Sequence, residues 1–509
     1  MQTLTLNKFI LFSVCEILYN QIVISKFNLK EIKMKFIKLS LAASVALGAL
    51  STASFAQPLE EAIKGIDVSG YLRYRYNDDR YNEGANGGKN ANHQWRAVAD
   101  FKTPVVNNVA LGLGVWYDSR NNVNHGKGVN PTTPGTANAF IGSGLGSGSD
   151  GQFGVREFYA TITPDSTATT IKLGKQLLDT PVTNAYDGDR GTGILALNSD
   201  IPNLTLAAAA FDSWAINEVN VNPTNGVTSS ADNIGETTSI DKPLYALAGI
   251  YGIDTNYGRF GGQLWGFYVD DAVDALVFGE LSWQGSLLRA KLQYSYAALN
   301  NDSDSVFYSL YGNGNPDGKP KANISESNDA FVVEVGADFR NYYQLPLDLT
   351  LGYITNFADG TAVALEDEGK NVSRTGAIWW QNAGTGISTS ALRGYGVQGF
   401  GTEQDIDVFY SGVSYGFIDD RLKVGLDFVW GENDISYNRG VVPNNNIKKV
   451  EFTEITPKIS WKHSKQLTVS TFYAMLQNDY TYVDNAAPVN AKPLDEDRDR
   501  FRVEVKYSF

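Results

Sequence analysis

Sulfur and imidazole are almost missing from this chain: 509 residues hold one cysteine, three methionines and three histidines. The cysteine, Cys15, lies ahead of a secretory leader, so the mature protein has none and neither disulfide nor thiol chemistry belongs to it. His93, His125 and His463 are scattered, without the clustered ligands of a zinc site or the serine partner of a hydrolase, and the chain reads as a protein that is not an enzyme. Basic residues are short as well. There are 42 Lys and Arg against 56 Asp and Glu, a net charge of −14, which argues against nucleic acid or an anionic membrane surface as partner. Past residue 56 no apolar run is long enough for a transmembrane helix, so any membrane crossing has to be made by strands. Glycine is plentiful, at 50, with 27 tyrosines and 25 phenylalanines. Amphipathic strands with aromatic girdles and polar loops produce that balance.

From Met34 the sequence runs Lys35, Phe36, Ile37, Lys38 and then an uncharged stretch from Leu39 to Phe55, with Ser54 and Ala56 as the small residues of a cleavage site. That is a secretory signal peptide over 34–56, and Gly48 with the short apolar core sets it apart from an anchor. Residues 1–33 precede a complete signal and read as a misassigned upstream extension. Lys30-Glu31 can be encoded as a purine-rich ribosome-binding sequence just before Met34. Without the six Lys and two Glu of residues 1–56, the domain 57–509 keeps 36 basic and 54 acidic residues, a net charge of −18 on 453 residues. The mature protein is therefore expected to begin at Gln57. Intact mass of the purified protein checks this, and a mass retaining any of residues 1–33 overturns it.

At the other end, Phe501, Val503, Val505, Tyr507 and Phe509 alternate with Arg502, Glu504, Lys506 and Ser508. A strand with one apolar and one charged face needs lipid or a packed sheet on one side and water on the other. A terminal aromatic on such a strand looks like the signal by which the barrel assembly machinery recognises outer-membrane proteins. Period-2 segments of about ten residues, the length a tilted strand needs to cross a bilayer, fall at 66–76, 92–102, 109–118, 153–163, 169–177, 193–198, 204–212, 244–253, 260–269, 275–283, 287–297, 330–341, 347–357, 404–415, 421–431, 450–462, 466–477 and 500–509, eighteen in all. Phe331, Val333, Val335, Ala337 and Phe339 face outward against Glu334, Asp338 and Arg340, and Leu422, Val424, Leu426, Phe428 and Trp430 against Lys423 and Asp427. In 244–253, 404–415 and 450–462 the alternation is weak and the register is left open. Short connections alternate with long ones rich in Gly, Asn, Asp and Ser. The fold class expected is a transmembrane antiparallel β-barrel of about 18 strands, with short periplasmic turns, long extracellular loops and a water-filled lumen.

Inward positions of that barrel carry Arg73, Arg75, Arg96, Asp100, Asp118, Glu157, Lys172, Glu280, Arg289, Lys291, Glu334, Asp338, Arg340, Lys423, Asp427, Glu454, Lys458, Arg502 and Glu504. Charges there border water and tune ion selectivity, or brace the wall as mutual salt bridges. The wall is nearly charge-balanced, so selectivity falls to what folds into the bore. Loop 178–192 is the candidate, with Asp179, Asp187, Asp189 and Arg190 beside flexible glycines. Carboxylates on such a loop inside a channel concentrate cations at the constriction, although a solvated Asp-Gly surface turn fits the same residues. Asp187 and Asp189 are also hard oxygen donors of the kind calcium takes. Asn313-x-Asn315-x-Asp317-Gly318 lacks the acidic twelfth residue of a calcium loop, having Ile324 there, and the Gly/Ser run 142–148 fits no nucleotide pattern.

The opening Pro58-Leu59-Glu60-Glu61-Ala62-Ile63-Lys64, then Asp67-Val68-Ser69-Gly70 and Leu72-Arg73-Tyr74-Arg75-Tyr76, resembles the Campylobacter-type major outer membrane protein porins. The likeness continues through Val155-Arg156 with Tyr159, Gly174-Lys175-Gln176, Asp187-Gly188 with Gly191-Thr192-Gly193, Leu204-Thr205-Leu206-Ala207-Ala208 and Asp212-Ser213. The resemblance implies an 18-stranded, trimeric, cation-preferring general porin of the Gram-negative outer membrane, surrounded by its lipid, with Asp187 at the constriction and as a calcium ligand. No cofactor is otherwise required. Two other classes stay open. One is a substrate-specific channel with a ladder of basic or aromatic residues along one wall. The other is an adhesin displaying loops 119–152 and 358–403, the latter with Trp379-Trp380.

Overall fold

A strand holding apolar residues on one face and charges on the other cannot stand alone, and the computed structural model shows how this chain pairs them. It describes residues 65–81, 88–119, 123–124, 151–183, 185, 189–215, 219–222, 226–229, 242–300, 327–358, 360, 375–379, 402–437, 447–482 and 497–509. Eighteen strands form the wall. They are β1 (Asp67–Tyr81), β2 (Gly88–Lys102), β3 (Val109–Ser119), β4 (Gly151–Ile162), β5 (Thr169–Leu177), β6 (Arg190–Asn198), β7 (Leu204–Ala215), β8 (Leu244–Thr255) and β9 (Gly258–Val269). The second half is β10 (Val273–Gln284), β11 (Leu288–Leu299), β12 (Ser327–Asp338), β13 (Leu347–Thr355), β14 (Thr402–Phe417), β15 (Leu422–Tyr437), β16 (Ile447–Lys462), β17 (Leu467–Tyr482) and β18 (Arg498–Ser508). Each pairs antiparallel with the next, and β1 pairs with β18 from Tyr71↔Ser508 to Tyr81↔Arg498, so the sheet closes and has no free edge. Every expected strand is present. A two-residue strand, Val123–Asn124, adds to β2, and Val219–Asn222 pairs with Gly226–Ser229 apart from the wall.

Several strands run past the segments that the periodicity marks, as β1 does to Tyr81, β15 to Tyr437 and β17 to Tyr482, and two further boundaries move candidate site residues. Segment 330–341 stops at Asp338, whose Oδ1 accepts the Arg340 backbone N–H at 3.0 Å and starts a helical turn, α1 (Arg340–Tyr343), ended by Gln344 in the left-handed region. Arg340 therefore sits in a short turn and not in the wall, paired with Asp338 and Asp420 at 2.9 and 2.8 Å. Loop 178–192 ends three residues early, because Arg190, Gly191 and Thr192 already pair with Leu177, Gln176 and Lys175.

Eight short connections lie at one end of the barrel, with the N-terminal end of β1 and the C-terminal end of β18, and a ninth, the three-residue turn 270–272 between β9 and β10, lies at the other end. Their chemistry is that of tight turns. Val106-Asn107-Asn108-Val109 has positive φ at both asparagines, the geometry two-residue hairpins favour. The Asp200 carboxylate joins two of these turns by accepting from Thr167 Oγ1, Asn198 Nδ2 and the Ala168 N–H, and those donors hold its carboxyl below the usual range. That contribution is present at neutral pH and lost as acid protonates the group.

Outward side chains along the middle of the strands are apolar, and Phe158, Leu247, Leu264 and Leu281 are 61–68% exposed. Large apolar groups left this open in water would forfeit about 25 cal/mol per Å², so this band faces lipid. Tyr257, Tyr342, Tyr343 and Phe417 mark its lower edge, where Arg421 also covers the Trp461 ring at 4.9 Å. Among the described residues no helix is long and apolar enough to cross a membrane. Strands β1, β2 and β14–β17 run 15 or 16 residues, well past the band at the long-loop end, whereas β5, β6 and β13 have nine. Inside, aromatic rings lie along the wall. A Cβ on Gly352 would collide with the Tyr410 ring, and one on Gly431 with the Phe452 ring. Only glycine lets these rings lie flat on the neighbouring strand.

Candidate functional site

The lumen has two unlike arcs. On β18, β1 and β2 the inward positions are a row of arginines, since every second residue of Arg498, Arg500, Arg502 and of Arg73, Arg75 points the same way. Asp79, 5% exposed, accepts Arg500 Nε at 2.6 Å and Arg498 Nη2 at 3.3 Å, and Arg75 pairs with Glu504 at 2.8 Å. Arg502 Nε donates to Asn77 Oδ1 at 2.6 Å. Arg96 of β2 and Arg190 of β6 both lie over the Trp116 ring, at 5.6 and 5.8 Å. Asp118 stands across from Arg96 in the ladder. Glu157 and Lys172 lie on β4 and β5, Lys172 Nζ being 5.0 Å from the Tyr159 ring.

The rest of the wall turns apolar in its long-loop half. Leu244, Phe267, Leu276 and Leu299 of β8–β11 form a buried cluster with Phe211 and Trp214 of β7. A lumen full of water gives such side chains nothing to pack on. The chain itself covers them. Leu178 and Val182, the latter fully buried, enter this cluster from the loop after β5. Its base is closed by the Leu178 N–H donating to the Asp189 carbonyl at 2.8 Å, and Thr183 Oγ1 donates back to the Leu178 carbonyl at 3.0 Å. Of the candidate constriction residues, Asp179 is exposed, Asp189 is 1% exposed, Arg190 heads β6, and Asp187 lies outside the described residues.

A second insertion was not foreseen. Residues 375–379, from the loop between β13 and β14, pack inside the barrel on Val332, Ile354, Val408, Tyr410, Val429 and Phe452. Ile378 is fully buried, and the Trp379 indole stacks at 6.3 Å on Phe452 and donates to the Thr375 carbonyl at 2.8 Å. The Glu454 carboxylate, itself without exposure, accepts the backbone N–H groups of Ala377, Ile378 and Trp379 and the Thr456 hydroxyl. Asp427 Oδ2 accepts the Gly376 N–H at 3.0 Å and Lys458 Nζ at 2.6 Å. Where the loop leaves β13, Asp329 accepts the N–H groups of Phe357 and Ala358, and Asn356 extends the ladder toward β14 through Gln404 and Ile406. Trp379, read as part of a displayed loop, is thus on the inner wall. Trp380 and residues 125–150 lie outside the described residues.

Four other candidate wall charges are tied to nearby strands. Glu280 accepts Gln293 Nε2 at 2.6 Å, Glu334 accepts the Tyr410 hydroxyl at 3.0 Å and lies 3.7 Å from Lys291, and Arg289 clasps Asp348 with two bonds of 2.7 and 2.9 Å. Among the described residues no group of three or more His, Cys, Asp or Glu is placed to hold a metal ion, and the candidate calcium ligand Asp187 lies outside them.

The sequence matches the family described as Campylobacter major outer membrane protein over residues 34–507. A search of curated proteins finds no match. Among solved structures the fold resembles OpdQ of Pseudomonas aeruginosa, with TM-score 0.52 and 13% identity over 88% of this chain and 99% of that one. It resembles OccAB1 of Acinetobacter baumannii with TM-score 0.54 and 14% identity over 87% and 97%. For OpdO of Pseudomonas aeruginosa the TM-score is 0.54 and the identity 14% over 89% and 99%. At such identities the likeness is one of fold.

Proposed function

We propose, starting from the fact that the chain belongs to the Campylobacter major outer membrane protein family, that its barrel is a water-filled channel for passive diffusion of ions and small hydrophilic solutes across the outer membrane. One observation carries this reading. The closed wall turns leucine and phenylalanine outward and arginine, aspartate and glutamine inward, an inner surface that suits water and polar solutes. With inserted segments over the apolar arc, the path is left to the arginine arc of β18, β1 and β2.

The channel prefers cations in this proposal, because the long loops carry acids in excess, Asp179, Asp187 and Asp189 of loop 178–189 among them. A negative vestibule concentrates cations within about 8–10 Å at moderate ionic strength and is screened by salt. The test is the reversal potential across a potassium chloride gradient for the native protein and for Asp187→Asn with Asp189→Asn. Cation preference should grow at low salt and shrink in the double variant. If the double variant keeps the native preference, loop 178–189 does not set selectivity. The arginine row favours a second reading, a substrate-specific channel whose guanidinium forks match carboxylates. Anion preference at every salt would favour it. The homotrimer expected from the resemblance is part of the same proposal, and crosslinking in native outer membranes tests it.

A further inference from the structure

Residues 375–379 sit on β15 and β16 at the level of Asp427 and Glu454, and the outward neighbours there, Leu426, Phe428, Trp430 and Ile455, are exposed to lipid. The segment therefore lies inside the barrel within the thickness of the bilayer and not above it. Its apolar side chains explain how it adheres to the wall, but adhesion alone does not fix a backbone. Three successive amides converging on one carboxylate do. They form a concave anion nest, and Glu454 fills it from the wall, with Oε1 taking Ala377 and Thr456, Oε2 taking Trp379, and both oxygens shared by Ile378. A buried carboxylate is tolerable only when its oxygens are so satisfied, and the amides gain what water can no longer supply.

We infer that Glu454 is the positioning residue of the pore constriction: its carboxylate holds the 375–379 segment in the bore, and that hold sets the conductance and the size of solute admitted. This rests on the channel reading above. Asp427, one strand away, accepts the Gly376 N–H, so two wall carboxylates on neighbouring strands hold the backbone of this segment. Glu454 does not touch solute in this role. It acts through the backbone it carries.

The experiment compares single-channel conductance in planar bilayers, and liposome swelling with sugars of graded size, for the native protein, Glu454→Gln, Ala377→Pro and a variant lacking residues 375–379. Heat-modifiable mobility reports that each barrel has formed. Ala377→Pro removes one donor from the loop side and leaves the wall untouched, so it carries the test if Glu454→Gln fails to assemble. Both substitutions should shift conductance and size limit toward those of the deletion. Excursions to the larger level should be about tenfold more frequent, the factor expected on losing roughly one charge-assisted bond. If the deletion itself conducts like the native protein, the segment is no constriction. If the deletion widens the pore while the substituted proteins keep native conductance, Glu454 does not hold it. Either result overturns the inference and spares the channel, whereas a native barrel that conducts nothing overturns the channel reading and the inference with it.

Discussion

Deleting Phe509, or displacing it by one inserted residue, is expected to lower heat-modifiable barrel in the outer membrane several-fold while export is left intact. The Phe509 N–H donates to the Gly70 carbonyl at 3.1 Å and the Gly70 N–H to the Phe509 carbonyl at 3.0 Å, so this residue supplies the last rung of the seam that closes β18 on β1. Its ring comes so close to Gly70 that a Cβ there would stand 3.0 Å from it. An insertion just before Phe509 turns that ring to the opposite face, the effect of any one-residue slip, and leaves the lowest pair of the seam unmade. Quantifying folded and unfolded bands from purified outer membranes, beside the processed precursor, decides the matter. Normal barrel levels in both variants would show that neither assembly nor closure depends on the terminal aromatic.

Asp79→Ala should cost about 3–5 kcal/mol, the range for removing one partner of a buried ion pair. Its carboxylate is 5% exposed and takes Arg500 at 2.6 Å as well as Arg498. Without it two neighbouring guanidinium groups on β18 lose their shared counter-charge at the seam. The temperature at which the compact band disappears in detergent should fall markedly for Asp79→Ala. Asp79→Asn should fall less, since it keeps an acceptor, and pairing Asp79→Ala with Arg500→Gln should recover part of the loss, as coupled neighbours do. A native melting temperature for Asp79→Ala would mean that the pair contributes nothing to holding β1 against β18.

The wall was legible because lipid and water impose period two on every strand that has one of each on its faces. It faltered in 244–253, 404–415 and 450–462, and the structure gives the reason. Leu244 and Ala246, Ile406, Val408 and Tyr410, and Val450 and Phe452 all point into the barrel, where inserted loop segments replace water. Apolar residues on both faces erase the alternation. The weak parity was therefore itself a trace of the insertions, and it points to the arc they occupy. Which loop occupies it was not legible, since Ala377-Ile378-Trp379 has no turn or strand pattern of its own and meets Glu454 across 75 residues. Arg340 was misplaced for a local reason. The alternation through Phe339 continues past Asp338, and only the Asp338 carboxylate capturing the next turn's amide stops the strand.

Tyr410 and Phe452 lie over Gly352 and Gly431 on the inner face, and the inserted residues 375–379 pack on them. Among the described residues the inserts are tied at the Leu178–Asp189 rung, at Asp329 and Asn356 by one root, and at Asp427 and Glu454 by the tip. The sheet that must suit the bilayer and the inserts that must suit the cell's supply of nutrients can thus change under separate selection. If residues 375–379 set the size limit, lengthening, shortening or recharging them alters what the channel admits while every strand register stays as it is.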